Sequence, residues 1–230
     1  MNKIFAVFSP SGGVGVSTVA VHLAQKLAER SETAIVDTHS DFSSIGKLLK
    51  TNAALPQDRL PVAINLNSPF IPQLTVSGQN KLKFFPAPPS TVSDSHDWKN
   101  HFSNCQKVFQ FTVIDLPSTF LAPELQAGLD IADKIILLTE NHWSKLAATK
   151  AFLEGSPDSI RDKCRIVINK TSWQPKAILD EIHANLGQTP FHEITVDPSL
   201  LGKSKLSVNG AFANSIKLLM SKLLSEFQQS

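Results

Sequence analysis

Short apolar runs alternate with longer segments of helical period along the chain, and this alternation restricts the fold more than any other sequence feature. Strands are predicted at residues 4–8, 33–36, 82–85, 111–114, 134–139, 165–168 and 191–196. Helices are predicted between them at residues 18–29, 42–49, 94–104, 123–130, 143–153, 175–186 and 211–227. Most strand segments are apolar at successive positions, which is typical of strands covered on both faces. We therefore expect an α/β fold, a single doubly wound, mostly parallel sheet with helices on both faces.

Residues 51–80 interrupt the alternation, because they combine several prolines with weak periodicity. We expect a surface excursion there. The alternative is a linker between two small domains, but the stretch is short, and we expect residues 1–230 to form one domain.

Charge and composition exclude several classes of protein. The 22 lysines and arginines nearly balance the 20 acidic residues, so a strongly basic nucleic-acid coat and an acidic disordered tail are both excluded. Cys105 and Cys164 lie far apart with no metal-ligand spacing, so neither a disulfide framework nor a zinc site is expected. The histidines also lack metal-ligand spacing, and we expect them to be solvated or to cap helices. A cytoplasmic protein is the default expectation, and since no apolar run approaches about 18 residues, membrane association should be peripheral or indirect.

A glycine-rich loop follows the first predicted strand and leads directly into an amphipathic helix. Its sequence from residue 9 is Ser-Pro-Ser-Gly-Gly-Val-Gly-Val-Ser-Thr. Glycines let a backbone approach an anion, and the N–H groups and dipole of the following helix attract it. The predicted phosphate-binding residues are Ser11, Gly12, Gly13, Val14, Gly15, Val16, Ser17 and Thr18. The alternative is an ordinary tight turn between strand and helix.

The loop departs from a standard P-loop at its lysine. Val16 stands where the lysine that contacts the β- and γ-phosphates belongs, whereas Ser17 keeps the hydroxyl that holds Mg²⁺. Anion binding by backbone groups could therefore survive the loss of the main cation for phosphoryl transfer.

The loop resembles the deviant Walker A motif of the MinD/ParA superfamily of ATPases. The two lysines of that motif fall on Ser11 and Val16. The Ser-Pro start of the loop and the stretch from Phe84 to Pro88 are similar to the TadZ/CpaE branch, whose members help to assemble Flp-type (Tad) pilus secretion machines. The resemblance implies a P-loop domain that binds ATP or ADP with Mg²⁺, forms a homodimer and recruits pilus or secretion proteins at the inner membrane face or cell pole.

The resemblance also assigns roles to residues at later strand ends. Asp37 matches the first switch aspartate, and His39 replaces the second. Asp115 resembles the Walker B aspartate, so Ser17, Asp37 and Asp115 become the candidate metal ligands, and the two aspartates the only catalytic candidates. Asp41 could substitute for the second switch aspartate only if the loop register shifts; its alternative is a helix cap.

Two further segments resemble the part of the family that binds the base. Asn169 ends a predicted strand and would present its amide to adenine, which needs one donor and one acceptor. Asp197 and Pro198 resemble the loop that packs beside the base. Asparagine at a strand end is otherwise usually a turn residue.

Three functions remain open at this point. The first is a nucleotide-binding scaffold with weak or absent hydrolysis, because both motif lysines and the second switch aspartate are replaced. The second is an active positioning ATPase whose missing charge comes from Lys170, another lysine or a neighbouring subunit. The third is an interaction module that binds no nucleotide. The apolar stripe of the last helix is expected to face the core, so membrane contact should be indirect.

Overall fold

The computed structural model describes residues 2–39, 44–49, 74–76, 79–87, 94–171, 176–197 and 210–228. The strands in these ranges are β1 (Lys3–Phe8), β2 (Thr33–Asp37), β3 (Leu74–Val76), β4 (Gln79–Phe85), β5 (Phe111–Asp115), β6 (Lys134–Glu140), β7 (Cys164–Thr171) and β8 (His192–Thr195). The helices are α1 (Val16–Ala28), α2 (Ser44–Leu48), α3 (Ser95–Val108), α4 (Pro123–Ile131), α5 (Trp143–Gly155), α6 (Asp158–Arg161), α7 (Lys176–Leu186) and α8 (Ala211–Glu226).

All eight strands belong to one sheet, in the order β3-β4-β2-β5-β1-β6-β7-β8. Every neighbouring pair is parallel except β3 and β4, which are antiparallel at the edge. The expected doubly wound, mostly parallel α/β sheet is therefore confirmed.

Helices cover both faces of this sheet. Side chains of β1 alternate between two cores: Ile4, Ala6 and Phe8 face one, and Phe5 and Val7 face the other. The first core is closed mainly by α3, α4 and α5, and the second by α1 and α8. Burial on both sides explains why the central strands are apolar at every position.

The last helix packs its apolar stripe against the second core, as expected. Ile216, Leu219, Met220 and Leu223 on α8 are at most 2% exposed. Leu224 packs against the same core with part of its surface exposed. Among the described residues, no helix combines the length and the apolarity that crossing a bilayer requires.

Some local expectations were wrong. No strand was predicted within residues 51–80, and the structure places β3 and the first residues of β4 there. The short helix α6 was also not predicted. His101 was expected to be solvated or capping and is instead 1% exposed, between the rings of Trp98 and Phe85. The candidate residues Asp41 and Pro198, and residues 51–73, lie outside the described residues.

Candidate functional site

The predicted site residues gather at the carboxyl edge of the sheet. The glycine-rich loop follows β1, Asp37 ends β2 and Asp115 ends β5, and the order places β5 between β2 and β1. In the strand order, β2 to β5 lie on one side of β1, whereas β6, β7 and β8 follow one another on its other side, so the strand order reverses at β1. Ligands of open α/β sheets bind at the strand ends near such a reversal.

The glycine-rich loop adopts a backbone that only glycine accepts easily. Gly13 and Gly15 have φ angles of +77° and +93°, in the left-handed region. A side chain added at Gly12 or Gly13 would meet no atom within 4 Å, so the loop faces open space there. The backbone N–H groups of residues 15–18 make no hydrogen bond to another described residue. This part of the loop is thus a group of available donors at the start of α1.

Side chains from the end of β7 hold the loop in place. The Nδ2 of Asn169 donates to the carbonyl oxygen of Val14 at 2.7 Å, and the Nζ of Lys170 donates to that of Gly13 at 2.9 Å. A carbonyl and the following N–H point in opposite directions across a peptide plane. The N–H groups of Val14 and Gly15 therefore point away from the two β7 side chains.

The geometry of Asn169 bears on its expected role toward adenine. Its side chain is 4% exposed, and besides the bond to Val14, its Oδ1 accepts the backbone N–H of Lys170 at 2.9 Å. Contact with a base would require Asn169 to move or to use its remaining hydrogen-bonding capacity. The adenine role stays a prediction, and in this structure Asn169 positions the loop.

Lys170 is the nearest described cation to the loop carbonyls, but its charge is already paired. Its Nζ lies 2.5 Å from the Oε1 of Glu140, whose Oε2 is 2.8 Å from the Nζ of Lys145. Burial alone would raise the pKa of Glu140, but the hydrogen bonds from both lysines outweigh it and keep that pKa below its usual value. Lys170 has a φ angle of +57°, unusual for a residue other than glycine. Lys170 would have to leave Glu140 to replace a motif lysine.

A cavity of about 540 Å³ opens in front of the loop. It is lined by Ser11, Gly12, Gly13, Gly15, Val16, Ser17, Thr18, His39, Lys47, Leu48, Leu116 and Ser118. Most predicted loop residues line it, whereas Val14 is fully buried beneath the loop. Asp197 follows β8 at the same edge and is half-buried.

Lys47 is a cation at the cavity that the sequence did not reveal. It lies on the short helix α2, is exposed, and lines the cavity together with Val16. Lysines on surface helices are common, so no local sequence signal distinguishes this one. The cavity therefore has a positive side chain nearby, although none comes from the loop itself.

Asp37, His39 and Asp115 form a charged cluster beside the loop. Asp37 and Asp115 are paired in register on neighbouring parallel strands and are fully buried. The Nδ1 of His39 lies 3.2 Å from the Oδ1 of Asp37 and 3.5 Å from the Oδ2 of Asp115. Thr38 ties the two strand ends together, because its hydroxyl donates to the carbonyl oxygen of Asp115 at 2.6 Å.

The electrostatics of this cluster reflect burial of two carboxyl groups. Burial raises the pKa of Asp115 to about 7; His39 and the Ser17 hydroxyl lower it, while the nearby Asp37 raises it. The hydrogen bond to Asp37 is the main reason that the pKa of His39 is raised, against the opposite effect of burial. Two buried carboxylates this close are costly when both are charged, and either a proton on Asp115 or a cation between them offsets that cost.

The comparisons with known proteins concern the fold. No family model matches the sequence, and no curated protein does. Solved structures do match over nearly the whole chain. A chain of the MinC:MinD cell division protein complex of Aquifex aeolicus superposes with a TM-score of 0.79 at 15% identity, covering 97% of this chain and 96% of the other. This chain has the MinD/ParA fold.

Two other structures with this fold show the same degree of similarity. The ParA family ATPase of Chlorobium tepidum TLS has a TM-score of 0.74 at 16% identity, covering 96% of this chain and 99% of the other. MinD of Pyrococcus horikoshii OT3, complexed with Mg-ADP, has a TM-score of 0.75 at 15% identity, covering 97% and 96%. At such identities the MinD/ParA likeness describes the fold and not the activity.

Proposed function

We propose that this protein is a nucleotide-binding scaffold of the positioning type, which takes ATP or ADP with Mg²⁺ and hydrolyses ATP weakly or not at all. The proposal depends on one observation: the donors of residues 15–18 have no described partner and stand at a cavity with open space over Gly12 and Gly13. Backbone donors at a helix N-terminus bind anions, and phosphate groups are the anions that a glycine-rich loop after a strand commonly binds.

The residues around the loop fit a magnesium ion. Magnesium prefers oxygen ligands from one or two carboxylates together with phosphate oxygens and water. Both oxygens of Asp115 are buried, and the donors close to them among the described residues are the Ser17 hydroxyl and the His39 ring. Ser17, Asp37 and Asp115 would hold the ion, which when bound would neutralise phosphate charge. Asp197, Pro198 and Asn169 are proposed to border the base.

Weak hydrolysis follows from the charges that the loop lacks. Serine and valine replace the motif lysines at positions 11 and 16, and His39 stands in place of a second carboxylate. Removing one preorganised donor from a transition state costs about 10²–10³ in rate, and a cationic finger is worth about 10³–10⁵. We expect turnover near background in the purified protein.

The second candidate is an active ATPase with its cation supplied by another residue or protein. Lys47 at the cavity and Lys170 at the Gly13 carbonyl support it. ATPase activity measured with and without DNA, lipid and candidate pilus components separates the two functions. Rapid turnover by the purified protein alone, abolished by Asp115→Ala, would support the active enzyme.

The partner proposals concern the same edge of the sheet. Phe120, Leu121 and Trp143 follow β5 and β6 there and are 52%, 86% and 75% exposed. Such apolar groups favour contact with another protein. We propose that the protein forms a homodimer and recruits pilus or secretion proteins. We also propose that it is cytoplasmic, that partners bring it to the membrane indirectly, and that residues 1–230 act as one domain. Light scattering with and without Mg-ATP tests the dimer.

Calorimetric titration with Mg-ATP and Mg-ADP tests the central proposal. The wild type should bind with a stoichiometry of one, and Asp115→Ala should weaken binding only when Mg²⁺ is present. Gly13→Glu should abolish binding because it places a carboxylate in the phosphate space. Thermal melting of each variant separates lost binding from lost folding. No heat at millimolar nucleotide would instead favour the third function, an interaction module without nucleotide.

A further inference from the structure

The Asp37, His39 and Asp115 cluster has the geometry of a metal site in the absence of any nucleotide. One ligand atom from each residue can be chosen so that all three lie within 4.8 Å of one another. The register of β2 and β5 pairs the two aspartates directly, and His39 follows Asp37 by two residues. The position of the carboxylates is therefore set by the sheet and not by a bound ligand.

The hydrogen bonding of the cluster leaves ligand atoms available. The backbone N–H of His39 donates to the Oδ1 of Asp37 at 2.9 Å, which fixes that carboxylate. The Oδ2 of Asp37 is buried with no hydrogen-bond partner among the described residues, and the buried oxygens of Asp115 have only the Ser17 hydroxyl and the His39 ring close by. Unpaired carboxylate oxygens are costly in a protein interior, and a cation removes that cost.

The third ligand distinguishes this cluster from a magnesium site. Imidazole nitrogen is a good ligand for zinc, iron, nickel and copper, whereas magnesium prefers oxygen ligands. The His39 side chain is 33% exposed, so the open side of the cluster can admit water as a further ligand. Two carboxylates, one imidazole and water form a mixed set that suits a borderline dication.

We propose that Asp37, His39 and Asp115 bind a divalent transition-metal ion in the nucleotide-free protein, in preference to Mg²⁺. This site shares Asp37 and Asp115 with the magnesium ligands proposed above, and it differs from them in using His39 and in not requiring nucleotide.

The test uses the full chain, stripped of metal by a chelator and kept free of nucleotide. Co²⁺ is titrated while visible absorption is followed, and Zn²⁺ and Mg²⁺ are then added as competitors. We expect one Co²⁺ per chain, displaced by equimolar Zn²⁺ and not by millimolar Mg²⁺. Absence of stoichiometric Co²⁺ binding, or equal competition by Mg²⁺, would overturn the proposal.

Variants locate the ion. His39→Asp supplies a third carboxylate in place of the imidazole and should weaken Co²⁺ and Zn²⁺ binding by at least about tenfold, which corresponds to ~1.4 kcal/mol. His96→Gln, at an exposed histidine on α3, is the matched control and should bind as the wild type does. Equal binding by wild type and His39→Asp would show that the ion lies elsewhere.

The outcome of the Mg-ATP titration does not affect the outcome of the Co²⁺ titration. Asp115→Asn keeps the shape of the side chain and should abolish Co²⁺ binding, with thermal melting as the check on folding. If that variant does not fold, the His39→Asp comparison still decides the proposal. Failure of the protein to bind Mg-ATP would leave the Co²⁺ titration unaffected, and binding of Co²⁺ only in the presence of nucleotide would contradict the proposal.

Discussion

Substitution of Gly15 by alanine tests whether the loop is held by the contacts described above. Gly15 has a φ angle of +93°, and an added Cβ would lie 2.8 Å from the Nδ2 of Asn169. The left-handed backbone costs about 1–2 kcal/mol for an L-residue. Displacement of Asn169 from the Val14 carbonyl lowers the free energy of unfolding by about 0.5–1.5 kcal/mol more. Alanine also reduces the conformational entropy of the unfolded chain, which raises the free energy of unfolding by about 0.4–1 kcal/mol. The expected net loss is about 2 kcal/mol.

Thermal unfolding followed by circular dichroism measures this loss. At about 2–4 °C per kcal/mol for a chain of this size, Gly15→Ala should melt about 4–8 °C below the wild type. Gly155→Ala is the matched control, because Gly155 ends α5 with no atom within 4 Å of an added Cβ and no positive φ. It should melt at or above the wild-type temperature.

A double substitution separates the close contact from the backbone strain. In an Asn169→Ala background the added Cβ has no Nδ2 to meet, so Gly15→Ala should cost about 1 kcal/mol less there than in the wild type. An unchanged melting temperature for Gly15→Ala would refute the argument about the loop. An equal cost in the two backgrounds would refute the contact with Asn169.

Three further predictions concern charge. Burial lowers the pKa of His101 to about 4, so between pH 6.5 and 4 the unfolded chain binds more protons than the folded one. Up to about 3 kcal/mol of the unfolding free energy present above pH 6.5 is therefore lost on acidification. Denaturant unfolding measured against pH should show that His101→Leu flattens this dependence and that His96→Leu leaves it unchanged. Lys47→Ala should weaken Mg-ATP binding about tenfold at low salt and less at high salt, whereas Lys217→Ala, on the exposed face of α8, should have no effect in the same titration. Val16→Lys, which restores a cation at the start of α1, should tighten Mg-ATP binding about 10- to 100-fold in calorimetry; unchanged affinity would mean that phosphates do not bind at this loop.

The fold was predictable because it follows from local periodicity. Each central strand is apolar at nearly every position and most of the longer helices bury one apolar side, which a doubly wound arrangement accommodates. The glycine-rich loop was also recognisable, because its spacing and its place after β1 are local properties. The edge strand β3 was missed because it is three residues long and follows a stretch rich in proline.

The contacts that complete the site were not predictable from the sequence. The bond from Asn169 to Val14 joins residues 155 positions apart, and nothing in either neighbourhood indicates it. Lys47 reaches the cavity only through the placement of α2. His101 lies among polar residues in the sequence, yet its side of α3 faces the core. Each of these facts depends on tertiary packing.

A crystal structure of the protein grown with Mg-ADP or a non-hydrolysable ATP analogue tests the central claim most directly. The account predicts a β-phosphate within hydrogen-bonding distance of the backbone nitrogens of residues 15–18, in the cavity beside Ser17, with no lysine of the loop in contact. A loop folded across its own N–H groups, leaving no space for a polyanion in crystals saturated with nucleotide, would contradict it.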